Sequence, residues 1–584
     1  MSTWDLSPLY SGLDDPKFTS DMAALEPCVN ELTELSCNEE LSELCLIREF
    51  IKVSTKLNEL VSGLAIFANL RYSSDTRDME SASALGRIMS TLTATAGPSA
   101  VIAAKIAKTD GLEELIDANE DLQEYKYMLM NIKRDSKYLL SDKEEAVIAK
   151  MNMSGASAWS DLQSSLTSNL KVKYGDETIT LSAVRNLAYD KDSEVRRKAY
   201  EAELAAYEDV KESVAFALNS IKLQTISECE LRGYDSPLAK SLYDSRMKME
   251  TLNALMTAIE EYLPAFRQYL LAKAKALGHE GALPWYDLFA PLGELNKSFT
   301  VEQARDYLLS VFGKFDKEMH DLIECAFNNR WIDFYPREGK VGGAFDCGIP
   351  TICESRVLTN FDGSFSSVLT LAHELGHSFH DRMVSRHSII NQEYTMPVAE
   401  TASTFNEVLV MESAIANAES DGERLALLEN ELMETCQIIC DIYSRFKFEA
   451  SVFENRPSEF MNADRMCELM LKAQDLSYGE GLDKDFRHPF MWLCKGHYYS
   501  GGFSFYNYPY AFGGLFARGL FAKYKSEGAA FVETYKKMLA ATSLGDVEDT
   551  GLIAGIDLTS PDFWRAGLES VKEKIDEFTK LVNK

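Results

Sequence analysis

No stretch of the 584 residues approaches the ~20 consecutive apolar positions that a membrane span requires. Residues 1–18 lack the basic start and apolar run of a secretory leader, so a cytoplasmic location is expected. Basic residues are the minority: 60 Lys and Arg against 91 Asp and Glu leave a net charge of −31. Such a surface repels nucleic acid and anionic lipid, and neither is expected as a partner. The 11 cysteines are odd in number and scattered from Cys28 to Cys494, with no CxxC pair, which excludes a disulfide framework and favours reduced thiols. Strand signals are scarce, no internal repeat is present, and no low-complexity linker divides the chain.

Helical periodicity is abundant. Apolar residues make up 46% of the chain and charged residues 26%, ordinary values for a globular protein. The length exceeds the ~250–300 residues at which single cores stop growing, so more than one lobe is expected. Apolar residues recur at i, i+3, i+4 and i+7 over Leu41–Leu60, Asp142–Met151, Asp192–Leu223, Met249–Ala276 and Leu425–Ala450. Ser141 with Glu144, and Thr300 with Gln303, have capping-box spacing. Residues 170–174 and 178–180 flank Gly175 as a small hairpin, and Ser355–Phe361 is a further strand. That strand is expected to pair as an edge with the backbone of an extended peptide. Glycine and aromatic residues thicken at 334–350 and again at 496–514, irregular chain of the kind that carries sites. The expected organisation is mainly α, with a helical N-terminal lobe over residues 1–190 and a helical catalytic region over 191–584.

The strongest chemical signal is His373-Glu374-Leu375-Gly376-His377. Helical positions i and i+4 share a face, so both imidazoles can reach one ion. Glu374 stands beside them and can take the proton of an attacking water. The flanks Val368–Ala372 and Phe379 are apolar, so this helix is buried, and buried histidines and carboxylates need partners. His380 lies about 10 Å along the axis from His373, too far to share an ion with it at ~2.1 Å bond lengths. A catalytic zinc usually keeps three protein ligands and one open position. Glu400 is the chosen third ligand, because it follows the Met396-Pro397 break and opens an apolar helix. Glu393 falls in the preceding loop and is expected to be solvated. Glu407, two turns beyond Glu400, is a candidate to orient a ligand histidine.

The second constellation runs from His497 to Tyr510. Water attack on an amide builds negative charge on oxygen, and neutral Tyr or His donors suit it. In an extended segment Tyr506, Tyr508 and Tyr510 would present three rings to one side.

Taken in order, these residues resemble the thimet-oligopeptidase-like metallopeptidases, specifically the oligoendopeptidase F branch. The resemblance starts at Trp4–Tyr10 and runs through Gly342–Phe345, Leu371–His377, Ala399–Glu407 and Phe505–Ala511 to Gly555–Leu558. It implies a two-lobed helical body with a deep central channel, a few short strands near the zinc helix, and short unstructured peptides as substrates. It also implies one Zn2+ per chain on His373, His377 and Glu400, with Glu374 as general base. By the same resemblance His497 and Tyr508 stabilise the transition state, with Tyr506 adjacent. The stretch from His497 to Phe505 is about two residues longer than in that branch and carries Gly501-Gly502, as a closing loop would. Two other readings compete. A metallocarboxypeptidase would need a cation for the terminal carboxylate, from among Arg337, Lys340, Arg356, Lys495 and Arg518. A non-catalytic peptide-binding protein would have no use for Glu374. Nothing in the pattern assigns an oligomeric state.

Overall fold

A computed structural model describes residues 3–293 and 297–584. The N-terminal lobe is built on two long helices, α1 (Pro16–Cys37) and α2 (Glu43–Ser74). The Asp15 and Ser42 side chains cap them by accepting the amides of Lys17 and Cys45. This lobe holds two small cores. One gathers Leu32, Ile47, Ile106 and Leu129, and the other gathers Tyr10, Phe18 and Phe67. The second also takes in Ile349 and Leu358 from the strands beside the histidine motif, which fastens the lobe onto the sheet.

A larger core spans residues from Ala156 to Phe578. It begins at α3 (Ala156–Ser168), after which Lys171–Tyr174 (β1) and Glu177–Thr180 (β2) form the expected hairpin. Gly175 turns that hairpin at φ 60°, the left-handed region. The long segment expected from Asp192 to Leu223 divides into α4 (Ser193–Tyr207) and α5 (Lys211–Arg232). The Asp209 and Val210 amides turn back onto Ala206 and Tyr207, redirecting the chain so that both pieces face one core. Next, α6 (Met249–Ala276) matches its expected bounds. The capping boxes at Ser141–Glu144 and Thr300–Gln303 both form.

Three strands follow: β3 (Ile332–Asp333), β4 (Phe345–Ile349) and β5 (Glu354–Leu358). Their order is β3-β5-β4, with β3 parallel and β4 antiparallel to β5. The strand expected from Ser355 is therefore central, with both its edges paired. β3 and β4 are the outer strands, and β4 packs on the histidine-bearing helix α7 (Phe365–Val384). Beyond it come the short α8 (Met396–Ala399), α9 (Thr401–Ala416) and α10 (Asp421–Cys436). A continuous helix was expected over Leu425–Ala450. Instead a π turn, Gln437–Asp441, separates α10 from α11 (Ile442–Asn455). Such turns rotate the following face and recur at functional sites. The chain closes with α12 (Tyr508–Glu527) and α13 (Pro561–Val582), the latter packed along α6. All eleven cysteines are free thiols. Among the described residues no helix is long and apolar enough to cross a membrane.

One buried ion pair ties α5 to α11. Lys222 Nζ lies 2.6 Å from Glu449 Oε1, and both side chains are 1% exposed. Removing one partner strands a buried charge. Lys222→Met should lower the unfolding free energy by about 3–5 kcal/mol in urea titrations, and adding Glu449→Leu should restore most of it. A single variant as stable as wild type would show that the pair carries no such weight.

Candidate metal centre and active site

The Ser364 side chain caps α7 by accepting the Ser367 amide, and Val368, Leu371, Ala372, Leu375 and Phe379 bury its apolar face. His373 and His377 then project together, with their Nε2 atoms 3.2 Å apart. Gly376 permits the third donor to arrive. A Cβ added there would sit 2.6 Å from both Ala402 O and Ser403 Cα, so only glycine lets α9 lie backbone to backbone on α7. Asn406 fixes the crossing by donating from Nδ2 to Ala372 O at 3.0 Å. Glu400 occupies the break between α8 and α9, where the helix changes direction. Its Oε2 lies 3.3 Å from His373 Nε2 and 3.4 Å from His377 Nε2, and it accepts a hydrogen bond from Ser403 Oγ at 2.8 Å.

These three distances bear on what the cluster can hold. Donors ~2.1 Å from a common centre at tetrahedral angles stand about 3.4 Å apart. Two imidazole nitrogens and a carboxylate oxygen with separations of 3.2, 3.3 and 3.4 Å fit a tetrahedral zinc site with one position left open. His373 Nδ1 lies 3.0 Å from Glu407 Oε1, the carboxylate–histidine arrangement that leaves Nε2 free for a metal. Glu393, the loop rival, is exposed. His380 is fully buried; its Nε2 meets Thr542 Oγ1 at 2.8 Å and its ring stacks on Tyr394. Burial pushes its pKa down to about 3, so it is a neutral packing residue.

The electrostatics point the same way. Burial alone would depress His373, yet the Glu400 and Glu407 carboxylates lift it to about 10. Glu400 is held below its ordinary range, because the histidine hydrogen bonds outweigh its burial. Glu374 is only 6% exposed, and burial raises its pKa. The β4 amide of Asp346 faces its carboxylate.

Several groups here escaped sequence reasoning. Glu434 on α10 is pushed up to about 7, first by burial and then by the charge of Glu407. Asp346 on β4 and Asp381 on α7 form a half-buried carboxyl pair, in which burial and the neighbouring charge drive Asp346 well up. Ser378 Oγ donates to Asp346 at 2.6 Å and the Tyr394 hydroxyl to Asp381 at 3.2 Å. Each sits among ordinary helix or loop acids in the sequence, and nothing local marks it.

The aromatic segment differs from its expected form. It is not extended, because α12 begins at Tyr508. At ~100° per residue, Tyr508 and Tyr510 point to nearly opposite sides. Tyr508 is fully buried, its hydroxyl 2.8 Å from Ser245 Oγ and 3.1 Å from Ser241 O. It faces the helix Pro237–Asp244 rather than the metal cluster. His497 and Tyr506 do come together, stacked with centroids 5.0 Å apart, and Tyr510 meets Tyr506 edge-on at 5.6 Å. Tyr510 is near enough to Glu400 to feel its charge, and a Cβ on Gly513, one turn along, would meet the Glu400 Cβ at 3.1 Å. Burial lowers the pKa of His497, with the charges of Arg445 and Lys495 adding to the effect.

Known proteins share this architecture. The Peptidase family M3 profile matches residues 186–570, and that of Oligopeptidase F matches residues 107–171. The chain is 25% identical to Oligopeptidase PepF of Bacillus subtilis (strain 168), over 100% of this chain and 87% of that one. It is also 25% identical to an Oligoendopeptidase F homolog of Lactococcus lactis, over 100% and 97% of the two chains. Among solved structures, a Chlamydophila abortus protein superposes with a TM-score of 0.87 at 22% identity, over 99% of this chain and 98% of that one. Oligoendopeptidase-F from Enterococcus faecium gives 0.70 at 18% identity, over 97% and 99%; both likenesses concern the fold. With the histidine helix, Glu400 and the aromatic segment all inside the longer profile match, the chain belongs to peptidase family M3 and is a metallopeptidase.

Proposed function

We propose that this metallopeptidase is a zinc-dependent endopeptidase for short, unstructured oligopeptides. The observation that carries the reading is the trio His373, His377 and Glu400 at tetrahedral separations, with the buried Glu374 carboxyl beside it. Zinc held by those residues supplies Lewis acidity and lowers the pKa of water toward neutrality. Glu374 accepts the proton of the attacking water and passes it to the leaving amine. Burial raises its pKa toward the working range, which suits both transfers. As the carbonyl oxygen gains charge, the Tyr510 phenol donates a hydrogen bond, and neutral His497 supports it through the stacked Tyr506. Tyr508, whose hydroxyl is engaged by Ser241 and Ser245, belongs to packing. The free edge of β4 offers backbone hydrogen bonds to an extended peptide, which gives affinity with little side-chain reading. Because its Asp346 amide faces Glu374, a peptide laid on β4 lies beside the base. Only an extended chain can pair in this way. Peptides of roughly 5–20 residues, at ~3.3 Å per residue, should be cut internally while folded proteins survive.

Elemental analysis should find about one zinc per chain. Glu374→Gln should keep that zinc yet lose at least about 10²-fold in turnover, whereas His377→Ala should lose the metal itself. Normal turnover by Glu374→Gln would reject the assigned base.

Tyr510→Phe should lower kcat by about 10²–10³-fold with KM nearly unchanged, the size of one lost oxyanion donor. Tyr508→Phe should instead keep kcat and destabilise the fold by about 0.5–1.5 kcal/mol, since the half-buried Ser241 and Ser245 lose a hydrogen bond. The opposite pattern would return the catalytic role to Tyr508.

Zinc affinity should depend on pH in a set direction. The metal-free His373 holds its proton up to about 10 and must release it to bind. Apparent affinity should therefore rise about tenfold per pH unit between 6 and 9, measured against zinc buffers. A flat profile would show that no protonated ligand is displaced.

A further inference from the structure

A cavity of about 530 Å³ opens at Lys495, two residues before His497 in the chain, within the ~300–1,000 Å³ typical of ligand pockets. Its walls come from α3, the residues after β2, α4, Gln437 of the π turn and the segment His488–Lys495. In a chain of net charge −31, its lining charges are mainly positive: Arg185, Arg196 and Lys495 against Glu203. Arg196 is neutralised by Asp287 at 2.7 Å. Glu203 is shared, accepting from the Tyr207 hydroxyl at 2.7 Å and lying 3.4 Å from Arg185 Nε and 3.5 Å from His488 Nε2.

Lys495 is different. Among the described residues its ammonium has no hydrogen bond and no carboxylate at ion-pairing distance. The other cations capable of holding a terminal carboxylate are matched: Arg337 and Lys340 by Asp333, Arg356 by Glu354, and Arg518 by Glu431. Burial lowers the Lys495 pKa, with the charge of Arg445 acting in the same sense. Lys495 is half-buried, and a cation at a cavity wall with no paired carboxylate is open to a ligand anion. Its position ties it to the metal centre. Lys495 stands two residues before His497, whose pKa its charge helps to depress. Across the cavity, Gln437 lies one turn beyond Glu434, which feels Glu407 and His373.

We propose that this cavity is a carboxylate subsite of the peptidase. Lys495, with Arg185 behind it, takes a single negative group of the bound peptide, at one or more residues from the scissile bond. Glu203 within the wall suits a monoanion and opposes phosphates or other polyanions. The inference rests on the oligopeptidase reading and adds a substrate preference to it. The group is the C-terminal carboxylate or an Asp or Glu side chain, and the test separates them.

Four forms of one peptide suffice: a free C-terminus with one internal Glu, its C-terminal amide, its Glu→Gln form, and the form with both changes. On wild-type enzyme one of the two single changes should lower kcat/KM about tenfold or more, mainly through KM, the size of a charge-assisted hydrogen bond. The change that does so identifies the group. The same ratio should appear in equilibrium binding to the Glu374→Gln enzyme, which binds without turnover. Lys495→Met should bring the ratio close to one, and Lys495→Arg should retain it. Raising salt should shrink it. Equal cleavage of all four forms by wild type overturns the subsite whatever the variants do, as does a ratio that survives Lys495→Met. Failure to cut any form with zinc present is a separate result, and it removes the peptidase reading beneath the proposal.

Discussion

At Gly376 two helices meet with no side chain between them. An added Cβ would fall 2.6 Å from the Ala402 carbonyl oxygen and the Ser403 Cα. That contact sets the depth at which α9 enters, and with it the position of Glu400 against two histidines one turn apart. Were the helices held apart by the 8–10 Å typical of ordinary side-chain packing, the carboxylate would not reach both imidazoles. Asn406 and Ser403 lock the crossing in register. The same contact brings Glu407, two turns further along α9, against the outer nitrogen of His373. One missing side chain thus fixes both the carboxylate that meets the two histidines and the one that meets the outer nitrogen of His373.

Around the two histidines the fold gathers an excess of acid. Glu374, Glu400, Glu407 and Glu434 all act on this centre, and Asp346 of β4 and Asp381 of α7 add to it. Burying so many carboxylates is unfavourable unless protons or a cation compensate. The chain shows both forms of relief. Asp346, Glu374 and Glu434 move up toward the protonated state, and His373 is driven to carry a proton to about 10. On the proposed reading, a dication in place of the His373 proton would stabilise the remaining negative charge, so the whole surround and not three side chains alone would favour it.

The centre was legible in the sequence where its parts lie close together along a helix. His373, Glu374 and His377 need only the helical period, and Gly376 sits inside the same motif. Glu400 was readable because a proline break precedes it and an apolar run follows. What failed to show depends on where elements begin and what pairs with them. Tyr506, Tyr508 and Tyr510 have period-two spacing, but a helix starting at Tyr508 sends that ring to Ser241 and Ser245, far away in sequence. Ser355–Phe361 reads as a strand, yet only the pairing of β3 and β4 on either side makes it central. Asp346 and Asp381 are separated along the chain and carry no joint signature. The helical class followed from composition and periodicity, whereas the breaks at Glu208–Val210 and Gln437–Asp441 did not, since neither holds a glycine or proline.

The π turn links these observations. Inserting it between α10 and α11 shifts the register of everything beyond by part of a turn. Upstream, Glu434 faces the metal centre; within the turn, Gln437 faces the cavity of Lys495; downstream, Arg445 pairs with Asp441 and casts its charge on His497 and Tyr510. A regular helix could not present acid to one side of the active site and base to the other over so few residues without rotating one of them out of place. The resulting gradient runs from carboxylates around the histidines to cations beside His497. In a strongly acidic protein, that gradient is local and made by the fold.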